Sequence, residues 1–285
     1  MSDYYAELAQ CAELARKDGW RHRLEQWLRF EVVRCGLDIE EGDSVVDLGC
    51  GTGRFLDYLG ARRKGDYLGI DKLAHAVEVA QSTLGADYFY RGDIFEESID
   101  ERGPFDWAVA IGTLVDGSER LDARRRLDAL GRLIDRLEEL GCKGWALVVL
   151  NREVLDSNPL LRLEPCLKGA SEKEIRSLAE HRGVEIVVEG QLFPTDLFVF
   201  SRHDEEAEGL SGRLHEESPH RAVVERLRAE EGEVDPADIV AFWIQAGRYE
   251  QARRAWEKLP DGHRRKALLG ERIRSFDGHR TAPNE

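Results

Sequence analysis

A chain of 285 residues that is 42% apolar can bury one large core or two modest ones. Its formal net charge of −15 leaves no surplus of Lys and Arg for a broad phosphate-binding surface, which argues against nucleic acid as a partner. Cys11, Cys35, Cys50, Cys142 and Cys166 are odd in number, with no C-x-x-C pair, and no apolar run reaches about 18 residues; a disulfide framework, a metal site and a membrane span are therefore not expected, and a reduced cytoplasm is.

Residues 3–36 read as two helices broken near Asp18 and Gly19. The second carries Leu24, Trp27, Leu28, Val32 and Cys35 along one face, with Gly36 as its stop. The aromatic content of the segment, with Tyr4, Tyr5, Trp20 and His22, suits either a helix docked on the core or a lid.

The stretch VVDLGCGTGRF, residues 45–55, is the most informative in the chain. Val45 and Val46 belong to a buried strand that Asp47 ends, and Gly49, Gly51 and Gly53 let the backbone turn tightly into a helix, so a ligand can approach the main chain. A dinucleotide loop spaces its glycines G-x-G-x-x-G and presents a helix N-terminus to a pyrophosphate. Here the spacing is G-x-G-x-G with an acid two residues ahead. In these residues the chain resembles the class I S-adenosylmethionine-dependent methyltransferases, whose cofactor carries an ammonium and a sulfonium and favours nearby carboxylate oxygen. The resemblance implies a Rossmann-like α/β fold with a seven-stranded, mostly parallel sheet, helices on both faces and an antiparallel last strand.

Onward from the loop, 54–59 starts a helix and DYLGI, 66–70, forms a second strand ending at Asp71. An acid there is placed to accept the ribose hydroxyls through charged hydrogen bonds worth about 1.5–3 kcal/mol each. A helix over 72–82 and a third strand over 87–91 follow, then Asp93 and Ile94. The resemblance makes Asp93 the reader of the adenine amino group and Ile94 its packing partner. The fourth strand, 105–111, runs into Gly112, Thr113, Leu114, Val115 and Asp116. It lacks the Pro-Pro-aromatic turn that methyltransferases of base amino groups typically carry at this junction. The expected cofactor contacts are therefore Asp47, Gly49, Cys50, Gly51, Gly53, Asp71, Lys72, Asp93, Ile94, Ile111 and Gly112, with Asp116 as the catalytic base for a hydroxyl acceptor.

Leu130, Leu133, Ile134 and Leu137 stripe a long helix that Gly141 ends, and WALVVL, 145–150, reads as a strand covered on both faces. The insert 151–170 is expected to face substrate or to serve as a connection. Ser171 and Glu174 make a capping box for a helix over 171–182, and strands over 184–188 and 197–201 complete the alternation. The domain plan is thus a helical lid over 1–36, the cofactor domain over 37–202, a linker over 203–218 and an all-α extension over 219–285. In that extension Asp235 and Pro236 start a helix, and Gly247, Tyr249, Ala252, Trp256 and Leu259 resemble the second half of a tetratricopeptide hairpin.

The expected activity is methyl transfer from S-adenosylmethionine to oxygen or nitrogen of a small-molecule acceptor. Alternatives are a methyltransferase of RNA or protein, or a cofactor-binding scaffold whose C-terminal helices hold a protein partner or a second copy.

Overall fold

Short apolar runs separated by glycine turns and amphipathic helices build a parallel sheet, because each crossover helix must return its chain to the same edge. A computed structural model describes residues 23–60, 66–95, 102–113, 123–157, 169–193, 195–203, 210, 214, 219–231, 235–245, 249–263 and 265–280. The strands are β1 (Val45–Leu48), β2 (Tyr67–Asp71), β3 (Phe89–Arg91), β4 (Trp107–Ile111), β5 (Gly144–Asn151), β6 (Gly169–Ala170), β7 (Val187–Glu189) and β8 (Asp196–Arg202). Their order is β3-β2-β1-β4-β5-β8-β7, with β6 paired to the end of β5. Among the described strands β8 alone runs antiparallel to the rest of the sheet. This is the Rossmann-like arrangement, with one strand more among the described residues than the seven expected. Gly169 and Ala170, inside the predicted insert, pair with Leu150 and Asn151.

The helices are α1 (Arg23–Leu37), α2 (Arg54–Leu59), α3 (Ala74–Leu84), α4 (Ala123–Glu139), α5 (Arg152–Ser157), α6 (Glu172–Glu180), α7 (Pro219–Glu231), α8 (Pro236–Gln245), α9 (Tyr249–Glu257) and α10 (Lys266–Arg280). The third strand is shorter than expected because Ala86–Tyr88 form a 3-10 turn. The expected capping box is present at α6, where Ser171 Oγ accepts from Glu174 N and the Glu174 carboxylate accepts from Ser171 N. Leu130, Leu133, Ile134 and Leu137 of α4 are buried against β1, β4 and β5, and Gly141 takes a φ of 61° just past the helix.

Two expectations for α1 change. The helix does not stop at Gly36 but continues to Leu37, and Asp38 takes the left-handed turn at a φ of 59°. Gly36 is there for a different reason: a Cβ on it would collide with the ring of Phe200 on β8. Nor is only one face of α1 buried, since Glu25, Arg29 and Glu31 are buried with the apolar residues. Burying charge is tolerable only with partners. Glu31 accepts from Tyr58 Oη of α2 at 2.5 Å and from Arg34 Nε and Nη2 at 2.9 Å. Burial alone would raise the Glu31 pKa, but these donors outweigh it and hold the pKa below the ordinary value. Residues 23–36 are thus a helix packed on the sheet; Tyr4, Tyr5, Trp20 and His22 of the expected lid lie outside the described residues.

The chain divides into two compact units. The first comprises residues 1–190 and 195–219, the second residues 191–194 and 220–285. Most of the expected linker lies outside the described residues. Within the second unit α8, α9 and α10 share a core of Ala237, Val240, Ile244, Ala252, Leu259, Leu269 and Ile273. Asp235 caps α8 by accepting from Ala237 N at 2.8 Å. Small residues sit where helices approach, as at Gly270, whose missing Cβ admits the Trp256 indole.

Candidate functional site at the carboxyl edge of the sheet

The strand order reverses between β1 and β4, and in open α/β sheets the crevice outside the carboxyl ends at that point takes the ligand. The loop after β1 opens there. Gly49, Gly51 and Gly53 all have positive φ, at 85°, 54° and 78°. At Gly49 a side chain is doubly excluded, since a Cβ would also lie 2.5 Å from Thr113 Cγ2. The loop hangs from β2: Gly49 N and Cys50 N donate to Ile70 O at 2.7 and 3.0 Å. Thr113, at the exit of β4, donates from Oγ1 to Leu48 O at 2.5 Å and so ties the two sides of the crevice.

Asp71 stands at the end of β2, and its carboxylate accepts from Gly51 N at 3.0 Å through Oδ2 and from Leu73 N at 2.8 Å through Oδ1. Each carboxylate oxygen has a further lone pair, so two hydroxyls of a bound sugar can still be accepted. The same residue's main-chain O accepts from Gly92 N at 3.1 Å, which leads directly to the second acid. Asp93 is exposed and closes a turn by accepting from Phe95 N at 3.0 Å through Oδ1. Among the described residues its Oδ2 has no hydrogen-bond partner, leaving an acceptor for an amino group. Ile94, partly buried beside it, packs on the core cluster. Ile111 ends β4 with 9% exposure and Gly112, at a φ of 74°, donates to Val148 O. Lys72 is exposed.

Asp47 differs from its expected place. It lies inside β1, which runs on to Leu48, and its side chain is 3% exposed. The Tyr67 hydroxyl donates to its Oδ2 at 2.5 Å. Register explains the contact: Tyr67 is opposite Val45, Gly69 is opposite Asp47, and the tyrosine leans along the strand across the gap. The remaining space over Gly69 is filled by Phe89 and Cys50, both within 3 Å of where its Cβ would be. Cys50 is correspondingly buried. Asp116 lies outside the described residues.

Tyr67 and Thr113, which hold Asp47 and the end of β1 beside the crevice, are contacts that the sequence alone does not single out. The alternation in YLGID places Tyr67 and Gly69 on one face and was the available signal for the first. Nothing local announces the second.

The methyltransferase-domain family matches residues 20–188, more than half of the chain and the whole of the crevice just described. The chain belongs to the class I S-adenosylmethionine-dependent methyltransferases. No curated protein matches it. Among solved structures, the plantazolicin methyltransferase BpumL in complex with SAH is 16% identical, with a TM-score of 0.51 over 79% of this chain and 91% of that one. The methyltransferase domain of bacterial CtHen1 is 18% identical, with a TM-score of 0.48 over 63% and 100%. Magnesium protoporphyrin IX methyltransferase ChlM from Synechocystis PCC 6803 with bound SAH is 18% identical, with a TM-score of 0.47 over 71% and 94%. At these identities the likeness is one of fold. In this methyltransferase no described helix is long and apolar enough to cross a membrane.

Proposed function

We propose that this methyltransferase moves the methyl group of S-adenosylmethionine to oxygen or nitrogen of a small-molecule acceptor, with the cofactor held by the loop after β1, Asp71 and the turn at Asp93 and Ile94. The observation that carries the site assignment is the Asp71 carboxylate. It takes the Gly51 amide on one oxygen while standing at the mouth of the crevice, one backbone hydrogen bond from the segment that leads to Asp93. The residues fit the cofactor's groups: carboxylates for ribose and amino hydrogens, and main chain left bare by glycine where the chain of the methionine moiety would pass.

The bound cofactor supplies a methyl group on a good leaving group. The protein's own part is alignment and exclusion of water, and holding a nucleophile near attack distance is worth about 7–11 kcal/mol. For a hydroxyl acceptor we place the base at Asp116, a few residues beyond Thr113. The net charge of −15 and the sequence Gly112-Thr113-Leu114 where a Pro-Pro turn would mark a base methyltransferase support a small molecule over nucleic acid. Cys35, Cys50 and Cys142 are buried as thiols, which accords with a reducing compartment.

Calorimetric titration of S-adenosylmethionine, S-adenosylhomocysteine and NAD into wild-type protein and Asp71→Ala tests the site. Binding of the first two, weakened at least tenfold by the substitution and absent for NAD, is the expected result; unchanged affinity in Asp71→Ala would remove Asp71 from the site. Loss of turnover with intact cofactor binding in Asp116→Asn, once an acceptor is found, tests the base.

A further inference from the structure

The turn that begins at Asp93, two residues after a three-residue edge strand, has little of its own to hold its shape. Yet an adenine reader has to present one carboxylate oxygen at a fixed place. The support comes from α4, on the far side of the sequence. Arg136 is 4% exposed and donates from Nε to Ile94 O at 3.1 Å. One turn earlier, the Arg132 guanidinium lies 4.2 Å over the Phe95 ring. The two arginines are four residues apart and so share a face of the helix. The helix itself is fixed: its apolar stripe is in the core, and Asp135 is bridged by Arg182 of the segment after α6 at 2.6 and 3.2 Å. The guanidinium is shared between two partners: Nη1 lies 3.6 Å from Glu139 Oε2 on the same helix, and the Nε–H is directed at the carbonyl of the turn.

We infer that Arg136, assisted by Arg132, is the positioning residue for adenine recognition: by clamping the Ile94 carbonyl and the Phe95 ring it holds Asp93 Oδ2 where the amino group of adenine must donate. Selectivity for adenine over hypoxanthine then depends on α4. Hypoxanthine presents a carbonyl oxygen at the same position, which repels a carboxylate held there and is indifferent to one that wanders. The inference rests on the assignment of Asp93 as the adenine reader.

The test is calorimetry of S-adenosylhomocysteine and S-inosylhomocysteine on the full-length protein, with thermal melting of each variant. Wild type should prefer the adenosyl ligand, and Asp93→Ala should abolish the preference. Arg136→Met should narrow it roughly tenfold, through weaker adenosyl binding together with inosyl binding that is no weaker than in wild type. Arg136→Gln, whose amide N–H takes the place of Nε, should restore it. Arg132 is exposed, so Arg132→Ala should fold and narrow the preference to a smaller degree. Equal weakening of both ligands in Arg136→Met would make the residue merely structural and overturn the inference, as would an unchanged ratio. Should that variant not fold, an unchanged ratio in Arg132→Ala overturns it. Survival of the preference in Asp93→Ala would instead bring down the adenine assignment, and the inference with it.

Discussion

The guanidinium of Arg29 lies across the carboxylate of Asp196 in a two-point ion pair, Nε to Oδ1 at 3.0 Å and Nη2 to Oδ2 at 2.7 Å, with both residues at most 3% exposed. The pair joins α1 to the start of β8, and each partner is further satisfied, Arg29 by Glu25 O and Asp196 by Thr195 Oγ1. Removing one partner strands the other charge away from water. Asp196→Ala or Arg29→Met should cost about 3–5 kcal/mol in urea unfolding, whereas the double replacement Arg29→Met with Asp196→Leu should cost much less. Additive losses would show that the two charges act independently.

Gly49→Ala combines a φ of 85° with a Cβ 2.5 Å from Thr113 Cγ2. The backbone part should cost about 1–2 kcal/mol and the collision more. Thr113→Ala should relieve the collision but not the dihedral, while itself giving up the hydrogen bond to Leu48 O, about 1 kcal/mol. A double-mutant cycle by denaturant unfolding should therefore show the second substitution to be less harmful, or beneficial, once the first is present.

Acid stability should depend on the amino edge of the sheet, away from the crevice. Lys143 Nζ sits 2.7 Å from Asp106 Oδ1, and Ser44 N and Oγ both donate to Oδ2 at 2.7 Å. The Lys143 bond and then the Ser44 amide lower the Asp106 pKa from 3.8 to about 2. Because the folded value is depressed, the stabilisation is present above about pH 3.8 and is lost as the pH falls through about 2. Asp106→Asn should lower stability at pH 7 and flatten its decline between pH 4 and 2, read by circular dichroism; a decline as steep as in wild type would assign acid unfolding to other carboxylates.

In the second unit Gly270 gives room to the Trp256 indole, whose Nε1 donates to Lys266 O at 2.7 Å. A Cβ would lie 2.9 Å from Trp256 Cζ2. Gly270→Ala should therefore disturb tryptophan fluorescence and lower the melting of the helical unit by an overpacking cost of about 1–3 kcal/mol. The affinity for S-adenosylhomocysteine should not change.

The features legible in the sequence were the local ones. G-x-G-x-G after two valines, an acid at the end of the next strand, and a Ser/Glu pair at capping distance each put their cause within a few residues of their effect. What stayed hidden depends on register and long-range packing. That Tyr67 reaches Asp47 follows only from pairing Val45 with Tyr67, and that α1 can bury Arg29 follows only from where β8 begins. Gly36 shows one residue type serving two purposes: the missing side chain that permits a left-handed stop equally permits a helix to lie close against a phenylalanine.

The pairing of β2 with β3 sets Asp71 beside Arg91, and neighbouring strands stand about 4.8 Å apart. On the proposed reading, ribose is gripped from one strand and adenine from the turn that leaves the next. The sheet then works as a ruler for the nucleoside, its graduation fixed by backbone hydrogen bonds rather than by side chains. Lengthening the Arg91-to-Asp93 segment by one glycine should leave the ribose grip intact and put the ruler out of scale, so that a ligand with a wider base would fit where adenine no longer does.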